Sequence, residues 1–272
     1  ATGKPGTLAY TFSIDLDIIS NLQEWLKAKD DKKQQAIIRG SADKKIQFLM
    51  NTATRTAGFL PSAFDPRYGN MQENRDPVGP HAWFGMSLAH YIEQFGNEDN
   101  SKLYEVVRIA NKILALECRY KIGIEDAGFV LLGPGLESAS LEHNIDSFIL
   151  FNYLGEKIKG TDGNVYRDAA NRIAVFLRTD VKQGGAYRTS EGIFIRGIKD
   201  PYRFINEPAS RPDRQKSSVD YKVATDVQAW GGSIVYHYKR YFPALDPKTF
   251  ADFILRNCEV TVQFNEKQVK GF

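Results

Sequence analysis

Glu142, His143, Asn144 and Asp146 crowd one and a half turns of the stretch Ser140-Leu141-Glu142-His143-Asn144-Ile145-Asp146. Two carboxyl groups, an imidazole and an amide in so short a run can exchange protons and hydrogen-bond a polar ligand. Glu142 and Asp146 are four apart, so on a helix their side chains share a face. The run reads as a helix start. Ser140 is a good N-cap residue, and carboxylates are favoured at the positive end of the helix dipole, which alone would explain part of the cluster. An apolar run, Phe148-Ile149-Leu150-Phe151, follows and ends near Leu154. A helix apolar on almost every side is buried among other helices. Its polar first turn is then aimed at a mouth lined by loops.

The elements that must position these groups repeat. Ala224-Thr225-Asp226-Val227-Gln228-Ala229-Trp230 opens a second such helix, and Thr225 with Gln228 fits a capping box. Val78-Gly79-Pro80-His81-Ala82-Trp83 opens a third, with proline at the first helical position. Aligning Ser140 with Thr225 sets His143 opposite Gln228; aligning the two Ala-Trp pairs sets His81 there instead. Helical periodicity predicts helices over 15–27, 32–52, 79–95, 103–117, 141–157 and 165–179, one from 225 to about 242, and one from Asp246-Pro247 with Phe250, Phe253, Ile254 and Val260 inward. Amphipathic outer helices such as 103–117 alternate with the apolar ones. Between helices lie an irregular loop over 58–70 carrying Asp65, Arg67 and Tyr68, a glycine-rich loop over 123–135, a small β-hairpin within 184–196 and a polar flap over 206–218. The pattern is all-α, of stacked or circular helical hairpins, and reads as a single domain over 1–272.

Bulk properties narrow the function. The chain has 36 basic and 33 acidic residues, a net charge of +3, without the concentrated basic stripe of a nucleic-acid binder. No run reaches the ~18 apolar residues that cross a bilayer. Four histidines and the two cysteines, Cys118 and Cys258, match no metal-ligand spacing. Gly184-Gly185 lacks the following Lys-Ser/Thr of a phosphate loop. Neither metal nor other cofactor is therefore expected, and the pairing of the two cysteines stays open. The first residue is Ala1 rather than Met, the expectation being a processed or trimmed chain, compatible with a periplasmic or extracellular location.

The three helix openings, from Val78, Ser140 and Ala224, resemble those of the α/α-toroid (six-hairpin) glycosidase superfamily, and the likeness runs from about residue 15 through most of the chain. The resemblance implies inner helices around a funnel, a carbohydrate chain at its mouth, and carboxylates near inner-helix ends working on a glycosidic bond. It implies an α/α toroid that is incomplete, with about four hairpins where a closed ring has six, so that the chain is a fragment, the ring is open, or another chain or segment completes it. The activity implied first is glycoside hydrolysis of a polysaccharide or cell-wall glycan. A polysaccharide lyase, with His143 or a tyrosine as base, and a non-catalytic toroid that binds glycan or protein remain alternatives. Glu142 is assigned as general acid, Asp226 of the next inner helix as base, and Asp146 as their support. His143, Asn144, His81, Trp83, Gln228, Trp230, Asp65, Arg67 and Tyr68 are the expected substrate contacts. For Glu142 and Asp226 the alternative is a first-turn acid serving the helix dipole; for Trp83 and Trp230 it is core packing.

Overall fold

The structure, a computed structural model, describes residues 9–55, 60–64, 71–73, 78–96, 100–258, 260–264 and 267–271. The chain divides into two compact units, Ala1–Leu116 and Glu117–Phe272.

In the first unit, strand β1 (Ala9–Tyr10) leads into helix α1 (Thr11–Lys27), followed by α2 (Lys32–Arg55), β2 (Ala63–Phe64), β3 (Met71–Glu73), α3 (Val78–Phe95) and α4 (Ser101–Leu114). The three strands form one small antiparallel sheet in the order β1-β2-β3. Helix α1 packs on α2 and α3, and α3 on α4, giving two helical hairpins. Helix α3 is buried on almost every side, as its apolar composition requires. Helix α4 buries one stripe, Val106, Ile109, Ala110 and Ile113. It stops at Leu114, short of the predicted Glu117, because Glu117 begins a strand.

Among its described residues the second unit holds two more helical hairpins. In chain order it runs β4 (Glu117–Ile122), β5 (Glu125–Val130), β6 (Ala139–Ser140), α5 (Leu141–Lys157), α6 (Thr161–Arg178), a 3-10 turn (Val181–Gln183), β7 (Tyr187–Arg188), β8 (Ile193–Phe194), β9 (Gly197–Ile198), α7 (Pro201–Asn206), α8 (Pro212–Ser218), β10 (Val219–Asp220), α9 (Thr225–His237), α10 (Pro247–Asn257), β11 (Val260–Phe264) and β12 (Lys267–Gly271). Helix α5 pairs with α6, α9 with α10, and α5 also packs on α9. The core is aromatic. Phe129 meets Phe176 and Phe204 at ring separations of 5.3 and 5.7 Å, and Phe148 meets Tyr238 and Phe242 at 5.2 and 5.5 Å. Each buried ring contributes roughly 1.5–3 kcal/mol through the area it removes from water.

Several boundaries differ from the sequence expectation for physical reasons. The loop predicted over 123–135 instead starts inside a β-hairpin, β4–β5, closed by Gly123 at φ +59°, the left-handed conformation that a tight reversal demands. Helix α6 begins at Thr161, four residues early, and carries Gly163 in its first turn, where a Cβ would lie 1.9 Å from the Ile158 carbonyl oxygen. Helix α9 ends at His237 rather than near 242, and Val260 lies on β11 rather than on α10. The flap over 206–218 ends in the short helix α8, and another short helix, α7, runs up to its first residue; α7 starts with Pro201 and is capped by the Asp200 carboxylate, which accepts from the Arg203 amide at 2.9 Å. The hairpin predicted within 184–196 is present as β7–β8. Among the described residues no helix is long and apolar enough to cross a membrane.

Candidate active site

The first turn of α5 is fixed by a three-stranded antiparallel sheet in the order β10-β9-β6. Ser140 pairs with Gly197, and Gly197 with Asp220. The ladder continues into the helix, since the Leu141 amide donates to the Arg196 carbonyl at 2.9 Å. Gly197 is required at the centre: a Cβ there would lie 2.2 Å from the Ala139 carbonyl oxygen. Beside it the Arg196 Nε donates to the Asp220 carboxylate at 2.8 Å. This support was not legible in the sequence, where β6, β9 and β10 are two residues each and no periodic pattern can mark them.

Three predicted ligand contacts turn out to be structural ties, all at the fourth residue of an inner helix. The Asn144 amide accepts from the Val130 N–H at 2.7 Å and donates to the Val130 and Ser140 carbonyls at 3.1 and 2.7 Å. Gln228 does the same for Phe194, accepting from its N–H at 2.9 Å and donating to its carbonyl at 3.0 Å. In the first unit, His81 Nδ1 accepts from the Leu60 N–H at 3.4 Å. All three side chains are 0% exposed, so each holds a strand or loop against its helix and none reaches a ligand. Burial, followed by the charges of Arg108 and Lys112, lowers the His81 pKa to about 3 and keeps the ring neutral. The repeat is therefore His81–Asn144–Gln228, and the expected alignment of His143 with Gln228 is one residue out of step. The capping expectations are corrected too. Ser140 occupies the N-cap position of α5 but its side chain makes no cap hydrogen bond; the N-cap of α9 is Ala224, and Gln228 is committed to Phe194.

Glu142 and Asp226 stand in the first turns of α5 and α9, two helices that pack on each other. Glu142 is half-buried and its carboxyl is pushed up to about 7, by burial first and by the charge of Asp226 second. Asp226 is exposed, and its Oδ1 accepts from the Val227 amide at 2.7 Å. The two groups thus feel each other across neighbouring helices. Asp146 is only 1% exposed and lies inside the packed body of α5, one turn beyond Glu142. His143 is half-buried; its Nδ1 has no hydrogen-bond partner among the described residues, and burial lowers its pKa to about 4. Trp230 is half-buried on α9. Trp83, in the first unit, is half-buried with its ring edge-on to Phe12 at 4.9 Å. Asp65, Arg67 and Tyr68 lie outside the described residues.

A carboxyl group that titrates near 7 is in part protonated at neutral pH and can release that proton to a leaving group; a second, ionised carboxylate nearby can receive one. Among the described residues no three His, Cys, Asp or Glu side chains converge as metal ligands, and both cysteines are free thiols.

No protein-family profile and no curated protein matches the chain. Solved structures do. A family 76 glycoside hydrolase from a bovine Bacteroides thetaiotaomicron strain superposes with a TM-score of 0.61 at 12% identity, over 96% of this chain and 51% of its own. A family 76 mannosidase from Bacteroides thetaiotaomicron gives 0.61 at 10% identity, over 97% and 65%. A cellobiose 2-epimerase from Bacillus thermoamylovorans gives 0.61 at 11% identity, over 92% and 61%. The chain thus spans about half to two thirds of these structures. The likeness shows the fold alone: helical hairpins of the α/α-toroid type, incomplete relative to those chains.

Proposed function

We propose that this chain is carbohydrate-active and acts as a glycoside hydrolase on a polysaccharide or cell-wall glycan, with Glu142 as general acid and Asp226 as general base or nucleophile. The observation that carries the reading is the raised carboxyl of Glu142, about 7, with the Asp226 charge among its causes. Glycoside hydrolysis needs this division of labour: one carboxyl still protonated to assist the departing oxygen, one ionised to activate water or attack the anomeric carbon. The three solved structures described above are named for glycan or sugar chemistry, which supports the substrate class. Asp146, 1% exposed and one turn further along α5, acts through the packing of that helix rather than on substrate, and the half-buried His143 and Trp230, on the same two helices as the pair, are its sugar contacts.

The test is incubation with mannan, cello-oligosaccharides, bacterial cell-wall glycan and the uronic-acid chains polygalacturonate and alginate, followed by new reducing ends and by ultraviolet absorbance. Hydrolysis gives reducing ends without absorbance, whereas a lyase gives an unsaturated, absorbing product. Glu142→Gln and Asp226→Asn each lower the rate about 10²–10⁴-fold, the range for loss of a general acid or base. Full activity in both variants overturns the assignment; absorbing product on the uronic-acid glycans of the panel replaces hydrolysis with elimination.

A further inference from the structure

We propose that the second unit carries an accessory binding site for a neutral sugar ring in a pocket of about 400 Å³ between the end of α6, the β7 strand and the segment after α9. None of the residues lining it belongs to the Glu142–Asp226 pair. Its volume lies within the range of small-molecule sites, which combine mostly apolar walls with a few fixed polar groups. Tyr187, Phe242 and Leu245 supply the wall, and the Tyr187 ring is braced by Phe194 and Phe250 at centroid separations of 5.9 and 6.1 Å. An aromatic and aliphatic wall suits the C–H face of a pyranose.

The polar side of the pocket is Asp180. Its Oδ1 accepts from the Lys182 amide at 2.8 Å and its Oδ2 from the Thr189 amide at 3.1 Å. Burial would raise this carboxyl, but the hydrogen bonds from Thr189 and Lys182 outweigh it and hold the group below its ordinary value. An ionised carboxylate has about four acceptor sites, so lone pairs remain for ligand hydroxyls. The cation at the rim, Arg178, is engaged: its guanidinium pairs with Glu125 and donates to the Tyr241 carbonyl at 3.3 Å. A rigid anionic acceptor beside an engaged arginine favours hydroxyl donors and disfavours anions. Neighbouring hydroxyls on a sugar, each donating to one carboxylate oxygen, fit that pattern.

The test is amide NMR of the full chain titrated with methyl α-D-mannopyranoside, cellobiose, glucuronate and glucosamine. The expected result is saturable shifts of the Thr189 and Leu245 amides with the two neutral sugars and much weaker ones with glucuronate. Leu245→Arg and Thr189→Trp, each at an accessible rim position, fill the pocket and weaken that binding at least about tenfold, a loss readily resolved in Kd. Circular dichroism confirms that both variants fold, and their hydrolysis of short substrates is unchanged. No shift at these amides with any neutral sugar overturns the proposal. So do shifts that survive both variants, shifts as strong with glucuronate, and binding confined to glucosamine, which would mark an amine site. Pocket binding without hydrolysis would count against the acid/base pair alone, and hydrolysis without pocket binding against the pocket alone.

Discussion

At Glu142 the proposed role as general acid and the stability of the fold make opposing demands. Its folded-state pKa, about 7, is above the ordinary 4.5, so the folded chain binds this proton more tightly than the unfolded one. Linkage then runs one way: nothing is lost below about 4.5, and stability falls as pH rises from there through about 7. Glu142→Gln should therefore melt higher than the wild type at about pH 8 and no higher at about pH 4, read by thermal denaturation at both pH values. A variant less stable than the wild type at about pH 8 would mean that the carboxylate is not held where ionisation is penalised. Asp226→Asn removes one cause of the shift and leaves burial, the larger one, in place. A carboxyl NMR titration of Glu142 in that variant should give a midpoint below about 7 and still above 4.5. The neighbouring Asn144 shows what a sequence conceals at this scale. An amide in a polar first turn reads equally well as a ligand contact or as a tie to main chain, and only the position of Val130 decides. Asn144→Ala strands the buried N–H and carbonyl of Val130 and should cost about 2–4 kcal/mol in chemical denaturation.

The longer elements were legible because their patterns are long. The apolar runs of α3 and α5, the stripe of α4 and the Asp246-Pro247 start of α10 each repeat a signal over several turns, and Asp246 does cap its helix, accepting from the Lys248 amide at 2.9 Å. Short elements carry no such redundancy. Gly163 reads as a breaker in isolation, yet it lets the first turn of α6 pass against the Ile158 carbonyl. Gly197 is the sharper case, since the two-residue strand around it sets the first turn of α5. Gly197→Ala forces β6 away from β9, because its Cβ would sit 2.2 Å from the Ala139 oxygen. Overpacking of this kind costs about 1–3 kcal/mol. The displacement should also shift the first turn of α5, so activity should fall while Glu142 itself is intact. A variant with wild-type stability and wild-type turnover would show that the sheet does not position the pair.

For the molecule as a whole, the count of hairpins was readable from the alternation of apolar and amphipathic helices, while the division at Leu116–Glu117 was not, because Glu117 continues a helical-looking pattern and is in fact the first residue of a strand. There its carboxylate, 1% exposed, accepts a bidentate pair of bonds from Arg172 at 2.7 and 2.8 Å, which ties β4 to α6 within the second unit. That unit also contains Glu142, Asp226, the β6–β9–β10 sheet and the Phe129–Phe176–Phe204 core. The one charge named as raising the Glu142 carboxyl, that of Asp226, lies within it. A fragment beginning at Glu117 should therefore fold on its own, melt cooperatively, and titrate Glu142 near 7. The single-domain expectation for residues 1–272 makes the opposite demand, because a shared core cannot be halved without unfolding. Circular dichroism melting of the fragment separates the two: a cooperative transition with the raised titration establishes an autonomous folding unit, and a broad, non-cooperative melt returns the whole chain to one folding domain.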